Sequence, residues 1–256
     1  MIFLTNVITV FCCIFLLALP ALLNIIFYPF SKKICVKISD AIVKKCAPLM
    51  FSILKVYKNF KLSYSTENFD KLPKQFLVIS NHQSLFDIPI FMTFFKDFDV
   101  RFVAKDSLAR HIPLVSEMLR SHEHCMIPRS GGAGKAMRTM ESFGRRVIER
   151  KQIPILFPEG SRTRDGNVGK FFSAGFRQLT ESTGLPVVVC VLDGGWKLRD
   201  LRKLMTNLKH GCYRVKILRV YEPPKTKEEC NKILEESKLL MQQQIEYWRQ
   251  LPANKK

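Results

Sequence analysis

Charge is missing from the beginning of this sequence: residues 1–31 contain no Asp, Glu, Lys or Arg. Residues 2–27 are almost wholly apolar, and a helix of that length, at about 1.5 Å per residue, can cross a hydrocarbon core of roughly 30 Å. A cleaved signal peptide is disfavoured, because no basic residue precedes the run and the run is too long. We therefore expect a helix that attaches the chain to a membrane, either spanning it or inserted in one leaflet.

Acidic residues are scarce, with 22 Asp and Glu against 41 Lys and Arg, a net charge of +19. This balance favours an anionic partner, which is nucleic acid, an anionic membrane or a phosphorylated substrate. Lysines spaced among aliphatic side chains in residues 32–60 are typical of an amphipathic helix, broken near Pro48, on an anionic surface. The positive-inside rule then predicts that this side of the membrane is cytoplasmic. No nucleic-acid-binding motif accompanies the charge, so we expect membrane lipids and no nucleic acid as partners.

Patterns for disulfides, metals and dinucleotides are also lacking. The eight cysteines form no CxxC pair and predict small buried side chains in a reducing compartment. His122 and His124, with Glu123 between them, share one face of a strand, but no third metal ligand is evident. The glycines of residues 131–134 lack the GxGxxG spacing. We expect no metal and no redox cofactor.

Short apolar runs alternate with segments of helical periodicity after residue 60. The predicted strands are 76–80, 100–104, 125–128, 154–158, 186–192 and 213–221. The predicted helices are 88–95, a broken 107–120, 135–151, 173–182 and a terminal helix to residue 248 that begins with a Thr226–Glu229 capping box. This alternation predicts an α/β fold with a largely parallel sheet flanked by helices.

One short stretch carries an imidazole and a carboxylate five residues apart. His82 and Asp87 follow the run 76–80, where a buried strand ends and a helix can begin. Ligands usually bind at this open edge of an α/β sheet. If Asp87 folds back from the first helical turn, it holds one ring nitrogen of His82 and leaves the other free as a base. By itself such a pair also serves structural roles.

A second stretch, Phe-Pro-Glu-Gly-Ser-Arg at residues 157–162, ends a predicted strand in a glycine-containing loop. Arg162 and Arg164 in this loop suit a phosphate monoester, because the guanidinium fork matches phosphate oxygens bidentately. Glu159 is placed to orient one of these arginines or to contact the same ligand. The alternative for this loop alone is a solvated charged surface.

Together, in this order and about 70 residues apart, the two stretches resemble the NHxxxxD and FPEGTR blocks of the glycerolipid acyltransferase family. The best-known members of that family are the 1-acyl-sn-glycerol-3-phosphate acyltransferases. The resemblance extends over residues 62–221, with Ser161 in the threonine position of the second block, and Lys105 and Arg129 fit two further blocks. It implies a catalytic domain at 61–256 after a membrane-anchoring segment at 1–60.

The resemblance implies a role for each of these residues. His82 would be the general base that deprotonates an acceptor hydroxyl, Asp87 would fix its tautomer, and Lys105 would stabilise the oxyanion. The residues expected to bind the substrate are Asn81, Arg129, Glu159, Gly160, Ser161 and Arg162.

The implied reaction moves a fatty acyl chain directly from acyl-CoA or acyl-carrier protein to the hydroxyl of a lysophospholipid. The acceptor would be 1-acyl-sn-glycerol-3-phosphate, which gives phosphatidic acid. A departure from the family's Phe-Lys-x-Gly pattern at residues 172–175, where Ser173 replaces the lysine, leaves a different lysophospholipid or an aminolipid open. A catalytically silent lipid-binding module is a further alternative, and the intact His–Asp pair argues against it.

Overall fold

A seven-stranded sheet forms the centre of this computed structural model, which describes residues 2–109, 116–128, 130–198 and 207–251. The strands are β1 (Lys61–Tyr64), β2 (Leu77–Ser80), β3 (Val100–Lys105), β4 (Cys125–Ile127), β5 (Ile153–Leu156), β6 (Val187–Asp193) and β7 (Cys212–Tyr221), in the order β1-β7-β6-β2-β5-β3-β4. Strands β6, β2, β5, β3 and β4 are mutually parallel, whereas β7 runs antiparallel to β6 and pairs in parallel with β1. The predicted largely parallel α/β sheet is therefore confirmed, and the reversal at β7 was not predicted.

Helices cover both faces of the sheet. They are α1 (Ile2–Phe27), α2 (Lys32–Ala41), α3 (Ala47–Lys58), α4 (Asp87–Phe94), α5 (Ser116–Ser121), α6 (Gly132–Glu149), α7 (Ser173–Thr183) and α8 (Lys227–Gln250). Helix α8 begins as predicted, with the Thr226 side chain accepting the amide hydrogen of Glu229. Gly184, at φ +61°, ends α7 in the left-handed conformation that glycine adopts without strain.

The apolar core has two layers because successive strand residues point to opposite faces. On β2, Val78 lies in the layer packed by α3 and α4, whereas Leu77 and Ile79 lie in the layer packed by α6, α7 and α8. The central strands β2, β5 and β6 are thus buried on both faces, as a parallel sheet between helices requires.

The N-terminal helices are joined to the sheet at one end of α1. Asn24 of α1 donates to Ser39 of α2 at 2.9 Å, and the Ser39 hydroxyl lies 3.3 Å from that of Ser121 on α5. Most of α1 is outside the core: Phe11 and Phe15 are 69% and 62% exposed. Within the part of the chain that the structure describes, one helical stretch, Val7–Phe27, is long and apolar enough to cross a membrane.

The segment predicted as a surface helix has two parts. A π-helical turn at Ile42–Cys46 separates α2 from α3, so the break lies just before Pro48, which occupies the first turn of α3. Helix α3 also contributes Met50, Phe51 and Leu54 to the core.

Candidate active site

The carboxyl ends of β2, β3, β4 and β5 meet at one edge of the sheet and border a cleft of about 610 Å³. Polar residues of its lining include His82 after β2, Lys105 at the end of β3, and Ser161, Arg162 and Arg164 after β5. The remaining lining is largely apolar, with contributions from Leu85, Ile88, Val103, Ile127, Met140 and Leu156. The sheet thus brings together side chains that lie about 80 residues apart in the sequence.

His82 and Asp87 form the pair that their spacing predicts. The His82 Nδ1 lies 2.6 Å from Oδ2 of Asp87, whose side chain is fully buried. Because a carboxylate only accepts hydrogen bonds, Nδ1 carries the proton and Nε2 keeps its lone pair. The imidazole stacks on the ring of Phe157 at 4.2 Å between centroids, which fixes its plane in the wall of the cleft.

Four further donors hold the Asp87 carboxylate, among them the Ser84 hydroxyl at 3.4 Å. The backbone N–H groups of Gln83 and Ser84 donate to it at 2.7 Å and 3.2 Å, and the Tyr213 hydroxyl donates to Oδ1. Burial raises the pKa of Tyr213 well above its ordinary value, and the neighbouring Asp87 charge raises it further, so the phenol remains a donor. Tyr213 lies on β7, 126 positions after Asp87, and sequence reasoning missed it because only the pairing of β7 with β6 brings it near.

Glu159 joins the two loops of the site. Its Oε1 accepts the His82 amide hydrogen at 2.9 Å, and its Oε2 accepts that of Gly169 at 3.0 Å. Burial raises the pKa of Glu159, and these two N–H groups oppose the rise. Any side chain at Gly169 would begin 2.7 Å from Oε2, so this close approach requires glycine. The carboxylate therefore orients the backbone of His82, in place of the expected contact with substrate or with an arginine.

Asn81 also differs from its predicted role. Its amide nitrogen donates to the Leu192 carbonyl at 2.9 Å, and its amide oxygen accepts the Leu192 N–H at 2.8 Å. These bonds continue the pairing of β2 with β6 by one residue and leave Asn81 1% exposed. Asn81 thus fixes the end of β2, immediately before His82, and is not part of the cleft lining.

The loop that follows β5 and carries Arg162 and Arg164 is anchored at two points. Thr163 donates its N–H to the His82 carbonyl at 2.8 Å, and Arg249 of α8 donates to the Gly166 carbonyl at 2.8 Å. Gly160, at φ +63°, lets the chain turn out of β5. Arg162, just before Thr163, and Arg164, between the two anchors, are exposed at the mouth of the cleft. The predicted residue Arg129 lies outside the described residues.

His122 and His124 have separate structural partners. His124 accepts the Phe102 N–H at Nδ1, 2.9 Å away, and the His122 Nε2 lies 3.2 Å from Asp40. Among the described residues, no group of three His, Cys, Asp or Glu side chains is placed to hold a metal. Burial lowers the pKa of His124 well below 6.5, and the nearby Arg101 lowers it further.

This burial predicts a dependence of stability on pH. Above pH 6.5 His124 is neutral in both states, and as the pH falls below that value the unfolded chain takes up a proton that the folded chain cannot. The free energy of unfolding should then fall by up to about 1.4 kcal/mol per pH unit from this residue. The variant His124→Gln keeps an acceptor for the Phe102 N–H and lacks the titrating ring. Its free energy of unfolding should therefore fall less steeply as the pH is lowered, measured by denaturant unfolding in neutral detergent from pH 8 to 5. An unchanged slope would contradict the assignment.

Comparison with known proteins shows the family of the chain. The family model described as Acyltransferase matches residues 61–193, just over half of the chain. A 1-acyl-sn-glycerol-3-phosphate acyltransferase of Limnanthes douglasii is 33% identical over 121 residues, which is 47% of this chain and 42% of that protein. The enzyme of the same name from Cocos nucifera is 30% identical over 129 residues, 49% of this chain and 41% of its own length. The matches thus span about two fifths of these curated relatives.

A solved structure shares the fold over nearly the full length. The 1-acyl-sn-glycerophosphate (LPA) acyltransferase PlsC from Thermotoga maritima superimposes with a TM-score of 0.65 at 19% identity. The alignment covers 98% of this chain and 97% of that one. The seven-stranded sheet and its helical layers are therefore a known architecture.

Proposed function

Because the chain belongs to the acyltransferase family, we propose that it is a membrane-bound O-acyltransferase that converts a lysophospholipid, 1-acyl-sn-glycerol-3-phosphate, to phosphatidic acid. The acyl donor is a thioester of CoA or of acyl-carrier protein. The observation that carries the proposal is the 2.6 Å bond from His82 to a buried carboxylate, on the wall of a cleft that also carries Arg162 and Arg164.

His82 acts as the general base. Its Nε2 takes the proton of the acceptor hydroxyl as the hydroxyl oxygen attacks the thioester carbonyl carbon. The carbon–oxygen bond forms, the carbon–sulfur bond then breaks, and the imidazolium returns the proton to the departing sulfur. The products are an ester and a free thiol. Asp87 holds Nδ1–H and stabilises the imidazolium between the two proton transfers.

Lys105 stabilises the tetrahedral oxyanion. Lys105 lines the same cleft as His82 and ends β3, which is separated from β2 in the sheet by β5. A cation that is positioned before the reaction lowers the energy of a developing negative charge at little reorganisation cost.

Arg162 and Arg164 bind the acceptor phosphate. Both line the mouth of the cleft, and Ser161 adds a hydroxyl beside them. The anchored loop holds the two guanidinium groups at one end of the cleft, while the apolar side chains deeper in the lining suit a fatty acyl chain.

Attachment to the membrane follows from α1 and the residues after it. In the most apolar 18-residue window of Val7–Phe27, 11% of the residues are buried inside the protein, whereas a core helix of a soluble protein is mostly buried. The first lysines, Lys32 and Lys33, follow directly and suit an anionic lipid surface. We assign the catalytic domain to the cytoplasmic face on this basis.

An assay with defined lipids tests the function. The full chain in mixed micelles, given oleoyl-CoA and 1-oleoyl-sn-glycerol-3-phosphate, should release free thiol and form phosphatidic acid. Lysophosphatidylcholine, lysophosphatidylethanolamine and an acyl-carrier protein donor form the comparison panel. If another acceptor is acylated and lysophosphatidate is not, that acceptor replaces the proposed substrate. If the chain binds lipid but transfers no acyl group from either donor, the proposed enzymatic activity is contradicted.

Arg162→Gln should weaken binding of the acceptor lipid and leave binding of the acyl donor unchanged. Loss of a charged hydrogen bond to phosphate predicts a KM for lysophosphatidate raised about tenfold, with the KM for oleoyl-CoA unchanged. Initial rates over a matrix of both substrates measure the two constants. Arg145→Gln removes an equal charge from the exposed face of α6, where Arg145 pairs with Glu141, and should leave both constants as in the native chain. An equal rise for both substrates would contradict the assigned contact.

A further inference from the structure

A second cavity, of about 490 Å³, lies between the edge strand β4 and helix α6. Cations on its lining are Lys135, Arg138 and Arg146, and no carboxylate is among the described residues that line it. We propose that this cavity is a second anion site, which binds the phosphate monoester group of a lipid headgroup or of a nucleotide.

The cations share one stripe of α6. Lys135, Arg138 and Arg146 are separated by three and eight positions, with Thr139 and Ser142 between them on the same lining. Residues at spacings of three, four and eight lie on one helical face, so the positive groups converge on a single volume. Like charges so placed repel one another, and a bound anion removes that repulsion.

Two of these cations have no carboxylate partner. Among the described residues, no Asp or Glu oxygen lies within 4.0 Å of Lys135 or Arg138, whereas Arg145, which does not line the cavity, pairs with Glu141 at 3.0 Å. Glu123, which pairs with Arg146 of this lining, also pairs with Lys32 and Arg150. Guanidinium and ammonium donors left open in this way match the oxygens of a phosphate.

A buried donor on the same lining supports the inference. Nδ1 of His124 accepts the Phe102 N–H, so Nε2 carries the hydrogen of the neutral ring. That Nε2 is buried and has no hydrogen-bond partner among the described residues. Buried polar groups in folded proteins are nearly always satisfied, and a ligand oxygen in this cavity supplies an acceptor.

Two sources of phosphate are close to the cavity. The ion pairs of Glu123 connect Arg146 to Lys32, the first charged residue after α1, so the cavity lies near the end of the apolar helix where lipid headgroups are found. The catalytic cleft is also adjacent, because Ile127 and Met140 line the cleft while their neighbours Met126 and Thr139 line the cavity. If the phosphate belongs to the nucleotide of the acyl donor, the inference rests on the proposed function. If it belongs to a lipid headgroup, the inference does not depend on that function.

Binding of two soluble probes tests the site. The full chain in neutral detergent is titrated by calorimetry with dihexanoyl phosphatidate and, separately, with adenosine 3′,5′-bisphosphate, which is the nucleotide end of CoA. Lys135→Gln/Arg138→Gln should raise the Kd of the bound probe at least about tenfold, since it removes two charged contacts. If this variant loses affinity for phosphatidate alone, the site binds a lipid headgroup. If it loses affinity for the bisphosphate alone, the site binds the nucleotide of the acyl donor.

Two matched variants separate this site from other charge effects. Arg145→Gln, on the same helix, should retain native affinity for both probes. Arg162→Gln/Arg164→Gln should remove the cleft's share of phosphatidate binding and leave the second site intact. Native affinity in Lys135→Gln/Arg138→Gln, or an equal loss in Arg145→Gln, would overturn the proposal. Because no turnover is needed, absent acyl transfer by the native chain would contradict the proposed function alone.

Discussion

His82→Ala is expected to reduce kcat for acyl transfer by about 10²–10⁴-fold, the usual contribution of a positioned general base. Alanine removes the only ring that Asp87 holds in the cleft, and water there has no comparable orientation. The Asp87 carboxylate keeps its bonds to Gln83, Ser84 and Tyr213, so we expect the fold to survive. Thiol release from oleoyl-CoA measures the rate, and the melting temperature checks the fold.

His210 supplies the control for this variant. It is exposed, lies outside the residues that line the cleft, and bonds to Asn59. His210→Asn should retain native kcat, and asparagine tolerates the positive φ of 55° at this position. Full activity in a folded His82→Ala chain would contradict the assignment of His82 as the general base, regardless of the result for His210→Asn.

Asp87→Asn is expected to cost about as much, on the order of 10³-fold in kcat, with little change in either KM. The amide oxygen at the Oδ2 position can still accept Nδ1–H and the N–H groups of Gln83 and Ser84. The neutral amide cannot, however, offset the positive charge of the imidazolium that forms when Nε2 takes the proton, so the proton transfer becomes less favourable. Rates over both substrate concentrations, in chains of verified melting temperature, separate kcat from KM.

Tyr213→Phe is the companion to Asp87→Asn. It removes one donor to the carboxylate and leaves Nδ1–H bound, so we expect roughly a tenfold loss of kcat. An Asp87→Asn chain with near-native kcat would show that the charge of Asp87 does not support His82 as a base. A Tyr213→Phe chain as impaired as Asp87→Asn would show instead that the phenol, and not the carboxylate bond alone, controls His82.

The parts of the fold that were predictable from sequence are those with local signals. The apolar run before His82 predicted β2, the Thr226–Glu229 pair predicted the start of α8, and Gly184 predicted the end of α7. The same local reasoning predicted the His82–Asp87 bond, because the strand end and the first helical turn are adjacent in the chain. Its use in catalysis remains a prediction.

Side-chain roles set by distant backbone were not predictable. The resemblance to the acyltransferase family implied that Asn81 and Glu159 bind the substrate. In the structure their polar atoms are bonded to the backbone of Leu192, His82 and Gly169, partners fixed only when separate strands and loops meet. A sequence records the hydrogen-bonding groups of a residue but not which of them the fold will satisfy.

The position of Tyr213 has a consequence for how the enzyme is made. A ribosome that has completed Asp193 has synthesised every residue matched by the family model, yet the phenol that donates to Asp87 is still untranslated. Its strand, β7, is also the one that pairs with β1 in the described part of the chain. Nascent chains shorter than about residue 221 therefore carry the histidine and the carboxylate without the strand that completes their surroundings. Under the proposed mechanism, the site is therefore completed only when β7, which follows the residues matched by the family model, has been translated.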